Sequence, residues 1–205
     1  PQSIDLYIQG TPVTSSCNST EEQVRWKTSD LANVFATSNN LLKVQSNGNW
    51  DGGAASWNTV ANNGSFQFTA TETNTDRMAG LSTSNANSGN TSIQYAIFLQ
   101  NTANVQVYES GTLRGTFTTY TANDVFKISV ESNIVKYYKN GTVFYVSAVA
   151  PTLPLLVDVS IRNTNGTITN AVVSNMNDGS FTATAVNAGV SPTYQWKLNG
   201  ASVGT

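Results

Sequence analysis

The chain of 205 residues has a net charge of −2, and only 11% of its residues are charged. Its ten lysines and arginines are scattered singly, so the basic patch of a nucleic-acid-binding protein is missing and we expect no nucleic-acid partner. No apolar run approaches the roughly 18–20 residues of a membrane helix, so we expect no membrane insertion. The start at Pro1 rather than at Met suggests signal-peptide removal or an arbitrary boundary.

Polar residues without charge dominate the composition: 27 Thr, 25 Asn and 22 Ser make 74 of the 205 residues. Ser, Thr and Asn compete for backbone hydrogen bonds in helix interiors and favour turns, while Thr also favours strands. We therefore predict an all-β protein that stays soluble through neutral polar groups, as many extracellular proteins do, and we expect it to be secreted.

Short runs with alternating apolar and polar residues recur about every ten residues, as in a sandwich or barrel. The predicted strands are 4–8, 41–45, 65–70, 78–82, 93–99, 104–109, 113–119, 125–131, 134–139, 143–147, 155–161 and 167–173. The clearest turn is Asn140-Gly141, because this pair supplies the two positive-φ residues of a type I′ hairpin. Tight turns are also predicted at 109–112 and 131–133.

The predicted strands divide the chain into three parts. Residues 1–23 are an N-terminal strand followed by a polar linker, which contains the single cysteine, Cys17. That thiol is either unpaired and without consequence, or an intermolecular bridge or attachment point. Residues 24–174 form the main domain, and 175–205 hold two strand-like runs, which are too few to bury a core of their own.

Seven segments in a particular order carry a family resemblance. They are 47–56, 64–69, 78–82, 94–97, 107–111, 124–128 and 135–141. In this order they resemble the concanavalin A-like lectin/glucanase domains (LamG-like jelly rolls) of bacterial exported and surface proteins. The resemblance implies a two-sheet antiparallel jelly-roll sandwich of roughly 12–14 strands. The tail, with its segment 193–200, is similar to the opening strands of immunoglobulin-like adhesin repeats, where the Trp packs in the core.

The acidic residues do not favour catalysis. Glycosidases need two carboxylates about 5–10 Å apart, and the glucanases that this fold resembles carry acids at alternate strand positions. No two acids stand at i and i+2 in this chain, and without histidine no Ser-His-Asp or Cys-His arrangement exists. The acid closest to a buried site is Asp158, which we interpret as a hydrogen-bonded structural group. We expect no enzymatic activity.

Two regions offer the aromatic and amide groups that sugar sites combine. Around 50–58, Trp50 matches the structural Trp of the resembled family, while Trp57 and Asn58 are candidate ligand contacts, with packing of Trp57 against the protein as the favoured alternative. The polar loop 82–90 adds Asn85 and Asn87, and we predict outward-facing rings at Tyr108 and Tyr120. No cofactor is required, but Asp51 and Asp76 could bind calcium through oxygen.

Two functions remain open from the sequence. The first is a non-catalytic, lectin-like carbohydrate-binding module, whose partners are a glycan or neighbouring surface-protein domains. The second is a structural adhesin or appendage (filament) subunit that self-assembles through its terminal strands, because unpaired strands invite strand addition.

Overall fold

The computed structural model describes the backbone of residues 3–8, 11–16, 19–176, 195–198 and 201–204, and the side chains of 21–175. The chain divides into a small unit, Pro1–Thr20 with Met176–Thr205, and a large unit, Glu21–Asn175. In the small unit four strands form one antiparallel sheet, in the spatial order Ala201–Gly204, Gln195–Leu198, Ser3–Ile8 and Thr11–Ser16. Cys17 and residues 177–194, which include most of the predicted immunoglobulin-like segment, lie outside the described residues.

The described residues contain eighteen strands. In chain order these are β1 (Ser3–Ile8), β2 (Thr11–Ser16), β3 (Ser19–Gln23), β4 (Val34–Thr37), β5 (Asn40–Lys43), β6 (Gly52–Val60), β7 (Gly64–Thr69), β8 (Arg77–Ser82), β9 (Tyr95–Leu99), β10 (Asn104–Glu109), β11 (Thr112–Thr119), β12 (Val125–Glu131), β13 (Ile134–Lys139), β14 (Thr142–Val146), β15 (Leu155–Ile161), β16 (Thr167–Met176), β17 (Gln195–Leu198) and β18 (Ala201–Gly204).

Two antiparallel sheets form the large unit, so the predicted all-β jelly-roll sandwich is confirmed. The six-stranded sheet has the order β11-β10-β9-β8-β15-β6, and the opposing sheet has the order β14-β13-β12-β7-β16-β5-β4, with β3 also paired to β16. The helical segments among the described residues are two 3₁₀ turns, Thr28–Asp30 and Asn90–Ser92, and neither is long enough to cross a membrane.

The core lies between the two sheets and follows the predicted alternation. Ile97 and Leu99 of β9 face Phe126 and Ile128 of β12 across the sandwich, and all four are fully buried. The predicted strand 93–99 begins with Ile93, but β9 begins only at Tyr95. Ile93 therefore belongs to a smaller apolar cluster with Met78, Ala96 and Phe98, which lies on the other face of the six-stranded sheet.

Three of the four connections in the meander from β10 to β14 are two-residue turns. Asn140 (φ 49°) and Gly141 (φ 81°) both have positive φ, as the type I′ prediction requires. The other two predicted turns have the same property, at Ser110-Gly111 and Ser132-Asn133. These three turn predictions are confirmed because the turn chemistry is local.

Two regions without clear alternation are strands that the sequence analysis missed. The predicted polar linker contains β2 and β3, and the segment Gly52–Val60 is one long strand, β6. Most of β6 is buried on both faces, so its sequence of small residues shows no inside and outside. The strand β4, which pairs with β5 in the opposing sheet, was missed as well.

Candidate functional site

One row of paired residues, three of which are Ala or Gly, crosses the outer face of the six-stranded sheet. This face points away from the core. In register across the strands lie Ala55, Asp158, Gly80, Ala96 and Tyr108. Paired residues of neighbouring strands point to the same side, so the Asp158 carboxyl stands on this face between residues with little or no side chain.

A loop covers this row. Residues 83–94, which we call the cover loop, leave β8 and return to β9 across the outer face. Ser160 donates its hydroxyl to the Ser88 carbonyl at 2.7 Å. A Cβ placed on Gly53, the partner of Ser160 in β6, would lie 2.6 Å from the Ser88 Cβ. Small residues are thus required on this face because the cover loop packs directly on it.

An exposed tryptophan lies at the edge of the same face. Trp57 of β6 is 63% exposed, so the alternative in which it packs against the protein is wrong. The segment 25–27 runs antiparallel to β6: the Trp57 N–H donates to the Arg25 carbonyl at 2.8 Å, and the Lys27 N–H donates to the Ala55 carbonyl at 2.8 Å. This pairing places the Lys27 ammonium 5.2 Å from the centre of the Trp57 ring, in a cation–π contact.

A carboxylate and an amide continue this surface. The 3₁₀ turn after Lys27 ends at Asp30, whose N–H donates to the Lys27 carbonyl at 3.0 Å. The Asp30 carboxylate accepts a hydrogen bond from the Asn85 amide of the cover loop at 3.2 Å. A continuous set of contacts thus joins Trp57, Lys27, Asp30 and Asn85, and we call these four residues the Trp57 surface.

Beneath the cover loop, Asp158 is 1% exposed. Its carboxylate accepts the Ser82 hydroxyl at 2.9 Å. Burial raises the pKa of Asp158 to about 7; the bonds from Ser82 and the Val159 N–H oppose this rise, and the negative charge of Asp30 adds to it. The sequence interpretation of Asp158 as a hydrogen-bonded acid on the outer face agrees with this geometry, but its raised pKa could not be read from the strand pattern.

Of the predicted ligand contacts, Trp57 and Asn85 are linked through Lys27 and Asp30, and two others are wrong. Asn58 is buried, because its amide accepts the Arg25 N–H at 3.0 Å and donates to the Gln23 carbonyl at 2.9 Å. Tyr120 is 2% exposed, and its hydroxyl donates to the Gln100 carbonyl at 2.9 Å. Both side chains hold neighbouring strands in place and are closed to a ligand.

The two remaining predicted contacts lie near the row without joining the Trp57 surface. Tyr108 is half-buried on the outer face, with its ring centre 6.0 Å from that of Phe98. Trp50 packs on the other side of Phe98 at 5.4 Å, in keeping with its predicted structural role. Asn87, in the cover loop, is exposed and accepts the Gly89 N–H at 2.7 Å, so its side chain shapes the loop.

The predicted calcium ligands are already paired with cations of the chain. Asp76 contacts Arg162 at 3.2 Å, and Asp51 contacts Lys43 at 2.6 Å. The Lys43 ammonium has four oxygen neighbours, the Asn47 and Asp51 side chains and the carbonyls of Asn49 and Arg162. We call this group the Lys43 cage.

The Lys43 cage does not fit a metal ion, because the ammonium occupies the centre of its oxygen shell. Among the residues that the structure describes, no three His, Cys, Asp or Glu side chains cluster as metal ligands would. The prediction of calcium at Asp51 and Asp76 therefore finds no support in the geometry.

A polar cleft of about 570 Å³ opens elsewhere in the large unit, lined by residues including Asn47, Asn74, Asn163 and Glu72. The Glu72 carboxylate already has its partners within the protein. It forms an ion pair with Arg77 and accepts hydrogen bonds from the hydroxyls of Thr71, Thr75 and Thr167. No aromatic ring lines this cleft. It lacks the apolar face that a sugar site uses, so the Trp57 surface is the better candidate in spite of its shallow shape.

No known family profile and no curated protein sequence matches the chain. Solved structures do match: the SPRY domain of human HERC1 has a TM-score of 0.54 at 13% identity, over 76% of this chain and 99% of that chain. The VIP36 exoplasmic/lumenal domain in its Ca²⁺/Man2-bound form has a TM-score of 0.52 at 8% identity, over 80% and 83%. The metal-free carbohydrate recognition domain of Emp46p has 0.50 at 9%, over 77% and 87%. At these identities the likeness establishes the concanavalin A-like jelly-roll fold alone.

Proposed function

We propose that the large unit is a non-catalytic, lectin-like carbohydrate-binding module of a secreted, multidomain bacterial surface protein. The observation that carries the proposal is the exposed Trp57 ring, flanked by the Lys27 ammonium, whose backbone carbonyl in turn accepts the N–H of Asp30 in the Asp30–Asn85 pair. An aromatic face covers the apolar C–H side of a sugar, and charged or amide groups bind its hydroxyls.

The structural neighbours support this proposal at the level of the fold. Two of them are a carbohydrate recognition domain and a lumenal domain in a Man2-bound form. Because a shared fold hosts many functions, the side chains of the Trp57 surface carry the proposal.

We propose that the module binds without cleaving. The acid nearest to Asp30 on this face, Asp158, is buried beneath the cover loop and is closed to a substrate. A glycosidase needs two accessible carboxylates on either side of the scissile bond. We also propose that binding needs no calcium, since the candidate acids Asp51 and Asp76 are engaged by Lys43 and Arg162.

A glycan array followed by calorimetry on the best ligand tests the proposal. Trp57→Ala should weaken binding at least about tenfold, the value of one lost stacking ring and its cation–π partner. Phe35→Ala is the matched control, because Phe35 is also a 61% exposed aromatic residue, but it belongs to β4 in the opposing sheet. Addition of EDTA should leave the affinity unchanged.

Three results would count against the proposal. They are an array without signal above background, equal losses in the Trp57 and Phe35 variants, and turnover of a polysaccharide by the purified chain. The first two would remove the Trp57 surface as the site, and the third would remove the non-catalytic part.

A specific observation also favours the structural alternative, an adhesin or appendage subunit. The edge strands β11 and β14 lie at the same border of the sandwich, and both carry exposed apolar residues, Leu113 and Phe117 in β11 and Val143 in β14. Unprotected edges of this kind favour association. Sedimentation analysis of the wild type and of Leu113→Lys separates the two functions: a concentration-dependent assembly that the variant abolishes supports the structural role, and a monomer at all concentrations contradicts it.

A further inference from the structure

We propose that the cover loop is a pH-dependent latch on the Trp57 surface, closed while Asp158 carries its proton and released when Asp158 ionises. This inference rests on the proposed function and adds its regulation.

Among the side chains that the structure describes, no cation acts on the Asp158 carboxyl. Its neighbours in β6 and β8 are Ala55, Gly80 and Ser82, and the cover loop 83–94 contains no ionisable residue. The charged group that acts on Asp158 is Asp30, which carries the same sign. The flanking side chains on its own strand, Leu156 and Ser160, are uncharged, as is Ala96 of β9 in the same row.

Lys27 is the cation closest in sequence to the two carboxylates, Asp30 and Asp158, because it precedes Asp30 by three residues. Its ammonium lies over the Trp57 ring. An ionised Asp158 would therefore be a buried anion beside another anion, which is stable only if water reaches it. Water can reach it when the cover loop moves.

Few hydrogen bonds hold the middle of the cover loop closed, whereas its end is anchored by the buried Ile93 side chain in the outer apolar cluster. The Ser82 hydroxyl donates to Asp158 and accepts the Gln94 N–H at 3.1 Å, so Asp158 and the end of the loop share one hydroxyl. The loop is fixed further by the Ser160–Ser88 bond and by the Asn85–Asp30 bond. Neutral hydrogen bonds of this kind contribute about 1 kcal/mol each, less than the cost of leaving an anion buried and unpaired.

The pKa of Asp158, raised by burial to about 7, sets the range in which the latch works. Below this pH the carboxyl is neutral and the loop stays closed, whereas above it the ionised form favours the open loop. Opening separates Asn85 from Asp30 and so disperses the polar half of the Trp57 surface. Glycan affinity should therefore be higher at pH 5.5 than at pH 8.5, by about fivefold or more, the lower range of coupling between two linked sites.

Two measurements test the latch, one of them independent of any glycan. Hydrogen-exchange protection factors of residues 83–94, corrected for the intrinsic pH dependence of exchange, should fall by at least about fivefold between pH 5.5 and 8.5 in the wild type. In Asp158→Asn they should stay constant. In Asp30→Asn the midpoint should move to lower pH, because the like charge is gone.

Asp124→Asn is the matched control, since Asp124 is also a buried acid but lies between β11 and β12 and pairs with Lys139. This variant should leave the pH dependence of the cover loop unchanged. If Asp158→Asn fails to fold, the shifted midpoint in Asp30→Asn remains a test of the same coupling.

The outcomes separate the latch from the proposed function. Protection of the cover loop that is the same at both pH values, or a pH dependence that survives in Asp158→Asn, overturns the latch even if glycans bind. A loop that titrates as expected in a protein that binds no glycan at any pH supports the latch and overturns the carbohydrate-binding function. Titration of both loop protection and glycan affinity, each lost in Asp158→Asn, supports both.

Discussion

Replacement of Lys43 by methionine should destabilise the large unit strongly. Lys43 is fully buried at the end of β5, and its ammonium lies 2.5 Å from the Asn49 carbonyl, 2.6 Å from Asp51 and 2.7 Å from the Arg162 carbonyl. The Lys43 stem packs close to Gly52, where a Cβ would lie 2.8 Å from the lysine Cδ; methionine replaces this stem with an apolar chain of similar shape and removes the ammonium with its charge and hydrogen bonds. The substitution therefore isolates the contribution of the Lys43 cage.

The size of this loss of stability follows from the burial of Lys43 and Asp51. Removal of one member of a buried ion pair costs about 3–5 kcal/mol, and the lower end applies because the Asp51 side chain is 30% exposed and water can solvate it. A loss of about 3 kcal/mol corresponds to a decrease of about 6–12 °C in Tm for a domain of this size.

Thermal and urea unfolding of the Lys43→Met protein at pH 7 measure this loss. The hydrogen bond from Lys43 lowers the pKa of Asp51, so this contribution is present above the unfolded-state pKa and is lost as the pH falls. The difference between wild type and variant should therefore shrink in acid. Lys127→Met is the control, because Lys127 is only half-buried, over the Tyr138 ring. A loss below about 1 kcal/mol for Lys43→Met would refute the reasoning, because it would mean that the oxygen cage contributes no more than an exposed ion pair.

Three further predictions concern single residues. Partial burial alone would raise the pKa of Glu131, but bonds from Lys136, Tyr138 and Ser129 lower it to about 2; Glu131→Gln should therefore reduce stability at pH 6 and flatten its decline between pH 4.5 and 2, as followed by urea unfolding across that range. Gly141→Ala should lower the free energy of unfolding by about 1 kcal/mol, because φ is +81° and only backbone strain opposes a Cβ that meets no other atom. An equal loss in Thr142→Ala would contradict this explanation. Asp158→Asn should match the wild type near pH 4 and exceed its stability by up to about 4 kcal/mol at pH 8, since a pKa near 7 makes wild-type stability fall as the pH rises from about 4 to 7; parallel pH–stability curves would contradict this.

Local signals in the sequence predicted much of the fold. The Asn140-Gly141 turn and the alternation in β12 depend on residues that are neighbours in the chain, and both are confirmed. β6 was missed because the cover loop buries its outer face, so an inside and an outside cannot be distinguished in its sequence. Tyr120 was placed outside, but it follows the end of β11, where the strand phase is lost, and packs beside Arg77.

The candidate site was predictable only in part, for the same physical reason. Trp57 and Asn85 were recognised by residue type, since aromatic and amide side chains are typical of sugar sites. Lys27 and Asp30 were not, because they reach the site through the pairing of segment 25–27 with β6, a contact between distant parts of the chain. The proximity of Asp30 to Asp158 depends on the same pairing.

The strand order also dictates when the protein can fold during synthesis. In the six-stranded sheet β6 is joined to β8 only through β15, and in the opposing sheet β5 is joined to β7 only through β16. Neither sheet can be completed until the segment 155–176 has been synthesised. The hairpins from β9 to β14, in contrast, can form as soon as they leave the ribosome. A nascent chain that stalls before Leu155 would expose the early strands on both sides of the sandwich, and these are the surfaces that a chaperone would have to protect.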